Sequence, residues 1–181
     1  MSGPRVLVAG IGNIFLGDDG FGVAVAQRLV AGPQPPGVTV TDYGIRGFDL
    51  AFAMLDEPGA TILVDALPRG GRPGTVYVLE PDLTGTCDPS AAADHAQGSF
   101  EGHAMTPDSV FALVTALGGR PGKVLVVGCE PQTFGPENEG FVGLSEPVHA
   151  AVEEAVATVE RLVAQLLSGA PAAAAAAEAP R

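Results

Sequence analysis

The chain has 181 residues, 46% of them hydrophobic, and a formal net charge of −12. That length suits a single domain with a proper buried core, and the acidity excludes a nucleic-acid binder, whose phosphates require a basic surface. No stretch approaches the roughly 18 uninterrupted apolar residues of a membrane span, so the chain is expected to have no membrane partner.

The N-terminus, MSGPRVLVAG, has no charged-then-apolar leader and runs directly into a first strand over residues 5–10. This is a near-continuous apolar run ending in glycine, the pattern of a strand buried on both faces. A glycine-rich loop follows, GIGNIFLGDDGFG (10–22), and then a helix over 21–32 with Phe21, Val25 and Leu29 on one face. After the PQPP linker (33–36), VTVTDY (38–43) is a second strand, GFDLAFAML (47–55) a short helix and ATILVDA (60–66) a third, buried strand. The turn cluster LPRGGRPG leads into TVYVLE (75–80), expected to return antiparallel beside its neighbour.

Residues 81–102 are rich in Asp, Ala, Gly and Ser and read as an irregular excursion. Thr106-Pro107-Asp108 then opens a helix that stops at Gly118-Gly119. KVLVVGCE (123–130) is the fifth strand, and Ser145-Glu146-Pro147 opens the last helix. Val148, Val152, Val156, Val159, Val163 and Leu166 are its expected stripe. Residues 1–168 read as one α/β domain and 169–181 as a low-complexity tail. The alternation gives a three-layer α/β sandwich, with a mostly parallel sheet of about five strands, one of them antiparallel.

In such sheets ligands gather at the carboxyl ends of the strands. The glycine loop, Asp65 at the end of ILVD, and Gly128-Cys129-Glu130 all fall there, and His103 lies just before a helix start. The loop fails as a dinucleotide fingerprint, because Phe15 occupies the sixth position of its G-x-G-x-x-G frame. It fails as a P-loop because Asp18-Asp19 stands where Lys-Ser/Thr should, and two carboxylates repel a phosphate. The loop is built for a cation or a proton donor.

Each residue also has a plainer reading. Asp18 or Asp19 can cap the helix that begins near Gly20. Asp65 can accept backbone hydrogen bonds in its turn, although an acid ending an apolar strand must find partners. His103 can be a surface or capping residue, and His95 and His149 have weaker claims to a site. The two cysteines lie far apart and form no CxxC pair, so neither a disulfide framework nor a thiolate zinc site is expected. Cys129 reads as a small core residue, Cys87 has no assignment, and the whole reads as cytoplasmic. Together, two carboxylates and one imidazole make an O,O,N set for a divalent metal with open positions, the chemistry of hydrolysis.

Five segments, in order, resemble the nickel–iron hydrogenase maturation endopeptidases: GIGNIFLGDDGFGVAVAQRL (10–29), ILVDAL (62–67) with GGRPGTVYVLE (70–80), GHAMTPDSVFAL (102–113), VLVVGCEP (124–131) and GLSEPVHAAVEEAV (143–156). The resemblance implies a twisted, mostly parallel sheet with helices on both faces. It also implies an activity, removal of a C-terminal extension from the hydrogenase large-subunit precursor once nickel has been inserted. It implies that Asp19, Asp65 and His103 are catalytic and meet the metal, with nickel supplied by the precursor and other divalent metals able to occupy the site. Asp18 then takes a supporting role, and Gly10, Gly12 and Asn13 serve close approach of the precursor's tail.

The second acid of the pair is Glu in some members, and Asp19 is one methylene shorter, a change in reach of about 1 Å. The surroundings of His103 match only one branch of the family. A monomer is expected. Two other readings use the same ligands: a non-catalytic nickel-binding or scaffold protein of hydrogenase assembly, and a general metal-dependent peptidase.

Overall fold

The structure, a computed structural model, describes residues 5–56, 58–83, 105–135 and 139–169. The five apolar runs form one sheet: β1 (Val6–Ile11), β2 (Val38–Gly44), β3 (Ala60–Ala66), β4 (Val76–Leu79) and β5 (Lys123–Cys129). Their spatial order is β2-β1-β3-β5-β4. All pairings are parallel except β4 against β5, where Tyr77 stands opposite Gly128. The chain thus adopts the three-layer sandwich expected of its alternating pattern, antiparallel strand included.

Side chains alternate between the two faces of the sheet. Val6, Val8, Ile62, Val64, Leu125 and Val127 form one core with α1 (Phe21–Val30) and α4 (Glu146–Ser168). Leu7, Ala9, Leu63, Val124 and Val126 form the other with α2 (Gly47–Leu55) and α3 (Pro107–Ala116). Strands covered on both sides favour apolar residues on both faces, which is why β1 and the ILV of β3 read as continuous apolar runs. Among the described residues no helix is long and apolar enough to cross a membrane.

The stripe on α4 differs in detail from the expected one. Its buried line is Val148, Ala151, Ala155, Val159, Leu162 and Val163, while Val152, Val156 and Leu166 are only partly buried. The alanines occupy the centre of the contact because their small side chains let the helix lie close to the sheet. The expected low-complexity tail lies outside the described residues from 170 onward, and Gly169 closes α4 in the left-handed conformation.

β2 and β3 lie on opposite sides of β1, so the connections leaving β1 and β3 diverge at their carboxyl ends. A crevice between diverging connections is where open α/β sheets bind their ligands. The start of α1 is pressed into this edge. A Cβ on Gly22 would stand 2.1 Å from the Val64 carbonyl oxygen, and one on Gly10 would stand 2.2 Å from that of Gly22. The close approach at Gly10 is therefore between the helix and its own sheet. Gly22→Ala is expected to destabilise the fold by about 3 kcal/mol, seen as a lower urea midpoint at unchanged slope. An unmoved midpoint would refute the contact.

Candidate active site

The loop after β1 is shaped by its own backbone. Gly12 has φ +129°, and a Cβ there would stand 1.8 Å from the Asp19 carbonyl oxygen. Only glycine permits that return of the loop onto itself. The Asn13 side-chain oxygen accepts from the Phe15 N–H at 2.9 Å, a local turn that asparagine favours. The Asn13 N–H donates to Asp19 Oδ2 at 2.6 Å. Residues Gly17–Gly20 then form a 3-10 turn that runs directly into α1.

Neither acid of the pair caps α1, contrary to the plainer reading of the sequence. The N-cap of α1 is Gly20, and it makes no side-chain capping bond. The 3-10 turn places the Asp18 carboxylate against two distant segments. Oδ2 of Asp18 accepts from the Gln132 and Thr133 N–H groups and from the Ser145 hydroxyl, at 2.8, 2.9 and 2.9 Å. Its Oδ1 accepts from the Ser145 N–H at 2.7 Å. Ser145 is the N-cap of α4, so its hydroxyl serves Asp18 rather than its own helix, and the carboxylate lies at the positive end of that helix.

Four acids are buried among the described residues: Asp18, Asp19, Asp65 and Glu130. A buried carboxylate is tolerable when donors or a counter-charge satisfy it. Two of the four meet that condition. Asp18 has the four bonds above, and Glu130 accepts from the Arg69 and Gly70 N–H groups and the Tyr77 hydroxyl, at 2.9 to 3.1 Å. Asp19 and Asp65 each have one donor among the described residues, the Asn13 N–H and, at 2.8 Å, the Ala66 N–H. No ion pair among the described residues reaches either of them.

The titration of the four follows from these surroundings. Burial raises the Asp19 carboxyl, and the Asn13 N–H only partly offsets it. Burial pushes Asp65 well above its ordinary 3.8, and the neighbouring Asp19 carboxylate raises it further. Glu130 behaves oppositely: burial would raise it, but the Arg69, Gly70 and Gly71 N–H groups and the Tyr77 hydroxyl outweigh burial and lower it. Its stabilisation is therefore present above the ordinary value of 4.5 and lost as pH falls through the lowered one. Urea midpoints of wild type and Glu130→Gln are expected to differ near neutral pH and to converge in acid. A constant gap would refute the assignment.

Asp65 shares its face of β3 with Leu63, the face covered by α2 and α3. The approach to α3 reaches the same edge, because the Met105 methyl carbon stands 3.0 Å from where a Cβ on Gly47 would lie. Thr106 begins α3 with a capping box to Ser109, as the Thr-Pro-Asp sequence foretells. His103, His95 and Cys87 lie outside the described residues. His149 is exposed on α4. Cys129 is buried, and burial with the nearby Asp18 and Glu130 charges pushes its thiol up to about 12, leaving it an inert core residue.

Among the described residues no three His, Cys, Asp or Glu side chains converge as a metal site. What the crevice offers is a pair of poorly satisfied carboxyl groups, hard oxygen donors whose mutual repulsion a divalent cation would relieve.

A family model described as hydrogenase maturation protease matches residues 23–162, which includes Asp65 and starts just after the Asp18-Asp19 pair. The chain belongs to the hydrogenase maturation protease family. This maturation protease is 32% identical over 166 residues to the hydrogenase expression/formation protein HupM of Azotobacter chroococcum, covering 91% of this chain and 74% of that one. It is 28% identical over 159 residues to the hydrogenase 2 maturation protease of Escherichia coli, covering 86% and 88%.

Solved structures agree in fold. The hydrogenase maturating endopeptidase HybD from E. coli superposes with a TM-score of 0.65 at 27% identity, over 91% of this chain and 94% of that one. The hydrogenase 2 maturation peptidase from a Thaumarchaeota archaeon gives 0.64 at 29% identity, over 88% and 98%. The maturation protease is thus a hydrolase, an endopeptidase of hydrogenase maturation.

Proposed function

We propose that this endopeptidase removes the C-terminal extension of a nickel–iron hydrogenase large-subunit precursor, and that the nickel already held by the precursor is what Asp19 and Asp65 recognise. The observation that carries this reading is the contrast among the four buried acids. Asp18 and Glu130 have their donors, whereas Asp19 and Asp65 keep one each among the described residues, and the Asp19 carboxylate raises the cost of charging Asp65. His103, on the resemblance of its GHAMTP surroundings, joins them as the third group. A divalent ion brought by the substrate supplies the missing positive charge and displaces the proton retained by the pair. Nickel comes with the substrate, and other divalent ions fit the same oxygen donors.

The chemistry is hydrolysis of one peptide bond. A carboxylate of the pair takes a proton from the water as it adds to the scissile carbonyl, polarised beside the cation, and passes that proton to the leaving amine as the C–N bond breaks. Recognition of the ion ties cutting to completed metal insertion. The protein acts as a monomer in the cytoplasm, a placement supported by a sequence with two widely spaced cysteines and no CxxC pair. Incubation of the purified protein with nickel-loaded precursor is expected to give a single product shortened at its C-terminus by intact mass. No shortened product would overturn the reading.

A further inference from the structure

Two segments beside the candidate site carry large apolar side chains that face solvent. In the site loop these are Ile14 and Phe15, and in the stretch after β5 they are Phe134, Phe141 and Val142. Phe15 is 60% exposed and Val142 70%. Single exposed hydrophobics are ordinary, but a contiguous group marks an interaction surface. These five belong to one assembly. The Phe141 N–H donates to the Phe15 carbonyl oxygen and the Gly17 N–H to that of Phe141, both at 2.7 Å, and Leu16 bridges Phe141 in parallel. Gly135 packs against the Phe141 side chain, and the Asp18 carboxylate holds Thr133 and Ser145 on either side of this stretch.

The rim is also poor in charge: in a chain with 21 acidic and 9 basic residues, segments 11–17, 131–135 and 140–145 contain no charged side chain, and among the described residues between the last two only Glu139 is charged. It is continuous with the acids, since Ile14 and Phe15 directly follow Asn13, whose N–H holds Asp19.

We propose that this rim is the seat of the folded hydrogenase large-subunit precursor, resting on an apolar patch of that protein beside the segment to be cut. The inference rests on the function proposed above. A tail peptide entering the crevice alone has no need of an apolar shelf outside it. A folded substrate whose scissile bond reaches Asp19 must lie over Phe15, and an apolar shelf poor in charge offers it contact where the rest of an acidic surface would not. The shelf is already fixed by main-chain bonds and by Asp18, so docking orders little.

The test compares wild type, the double variant Phe15→Ser/Phe141→Ser, and Val30→Ser as control. Val30 is equally apolar and 55% exposed, but ends α1 at the far edge of the sheet. Initial rates of cleavage are measured across a range of nickel-loaded precursor concentrations, with thermal unfolding confirming the fold. The double variant is expected to raise KM by about tenfold or more with kcat unchanged, and the control to match wild type. A KM within about twofold of wild type would overturn the docking surface. So would a wild-type dimer that the double variant dissociates while KM stays unchanged, since the rim would then join two copies of this chain. Failure of wild type to cut at all would instead overturn the proposed function.

Discussion

Asp65→Asn is expected to slow precursor cleavage by about a thousandfold while leaving the fold as stable as wild type, or more stable, near neutral pH. The side chain is buried at the end of β3 with a single donor among the described residues and with the Asp19 carboxylate as its charged neighbour. Its carboxyl is raised well above 3.8 by burial first and by Asp19 second. An acid with a raised pKa stabilises the fold fully below its unfolded value, and that contribution is lost as pH rises through the folded one. The amide keeps an oxygen for the Ala66 N–H and removes the charge. The gain over wild type should therefore appear near neutrality and vanish in acid below 3.8. Thermal midpoints across pH, measured beside turnover, check both halves. Normal turnover would remove Asp65 from the site, and a large loss of stability would make it structural.

Asp18→Ala should do the reverse. It leaves the Gln132, Thr133 and Ser145 N–H groups and the Ser145 hydroxyl without their acceptor, all around a side chain with no solvent exposure. Removing one partner of a buried charge-assisted network costs about 3–5 kcal/mol, roughly a 10 °C fall in thermal midpoint for a domain of this size. Asp18→Asn, which retains one acceptor oxygen, should fall between. Two adjacent aspartates are thus assigned different work, and the two substitutions separate them. A midpoint within about 2 °C of wild type would contradict the network.

Much of this was legible before any coordinates. β1, β3 and β5 are covered on both faces, so each carries an apolar run, VLVA, ILV and VLVV, ended by glycine or an acid. The turn cluster before β4 announces its reversal, and Thr106-Pro107 announces α3. The carboxyl edge as the place of the site follows from parallel topology alone.

The division of labour among the acids was not legible in the same way. Asp18 and Asp19 are chemically identical neighbours, and what distinguishes them lies 114 to 127 residues away, at Gln132, Thr133 and Ser145. Local propensity suggested a helix cap and gave no hint of partners so distant in sequence. Asp65 and Glu130 both end apolar strands, and only the turn at Arg69-Gly70 and the Tyr77 hydroxyl single out Glu130 as satisfied. The apolar rim is not legible in the sequence because its residues sit in glycine-rich connections without periodicity. The main-chain bonds between Phe15 and Phe141 are what assemble it.

Asp19 and Asp65, with one donor each among the described residues, are proposed to meet a cation carried by the substrate. The most direct test offers the purified protein one hydrogenase large-subunit precursor in two preparations, nickel-loaded and nickel-free, and follows intact mass with time. Loss of the C-terminal extension from the nickel-loaded form alone is expected. Equal cleavage of both forms would contradict it.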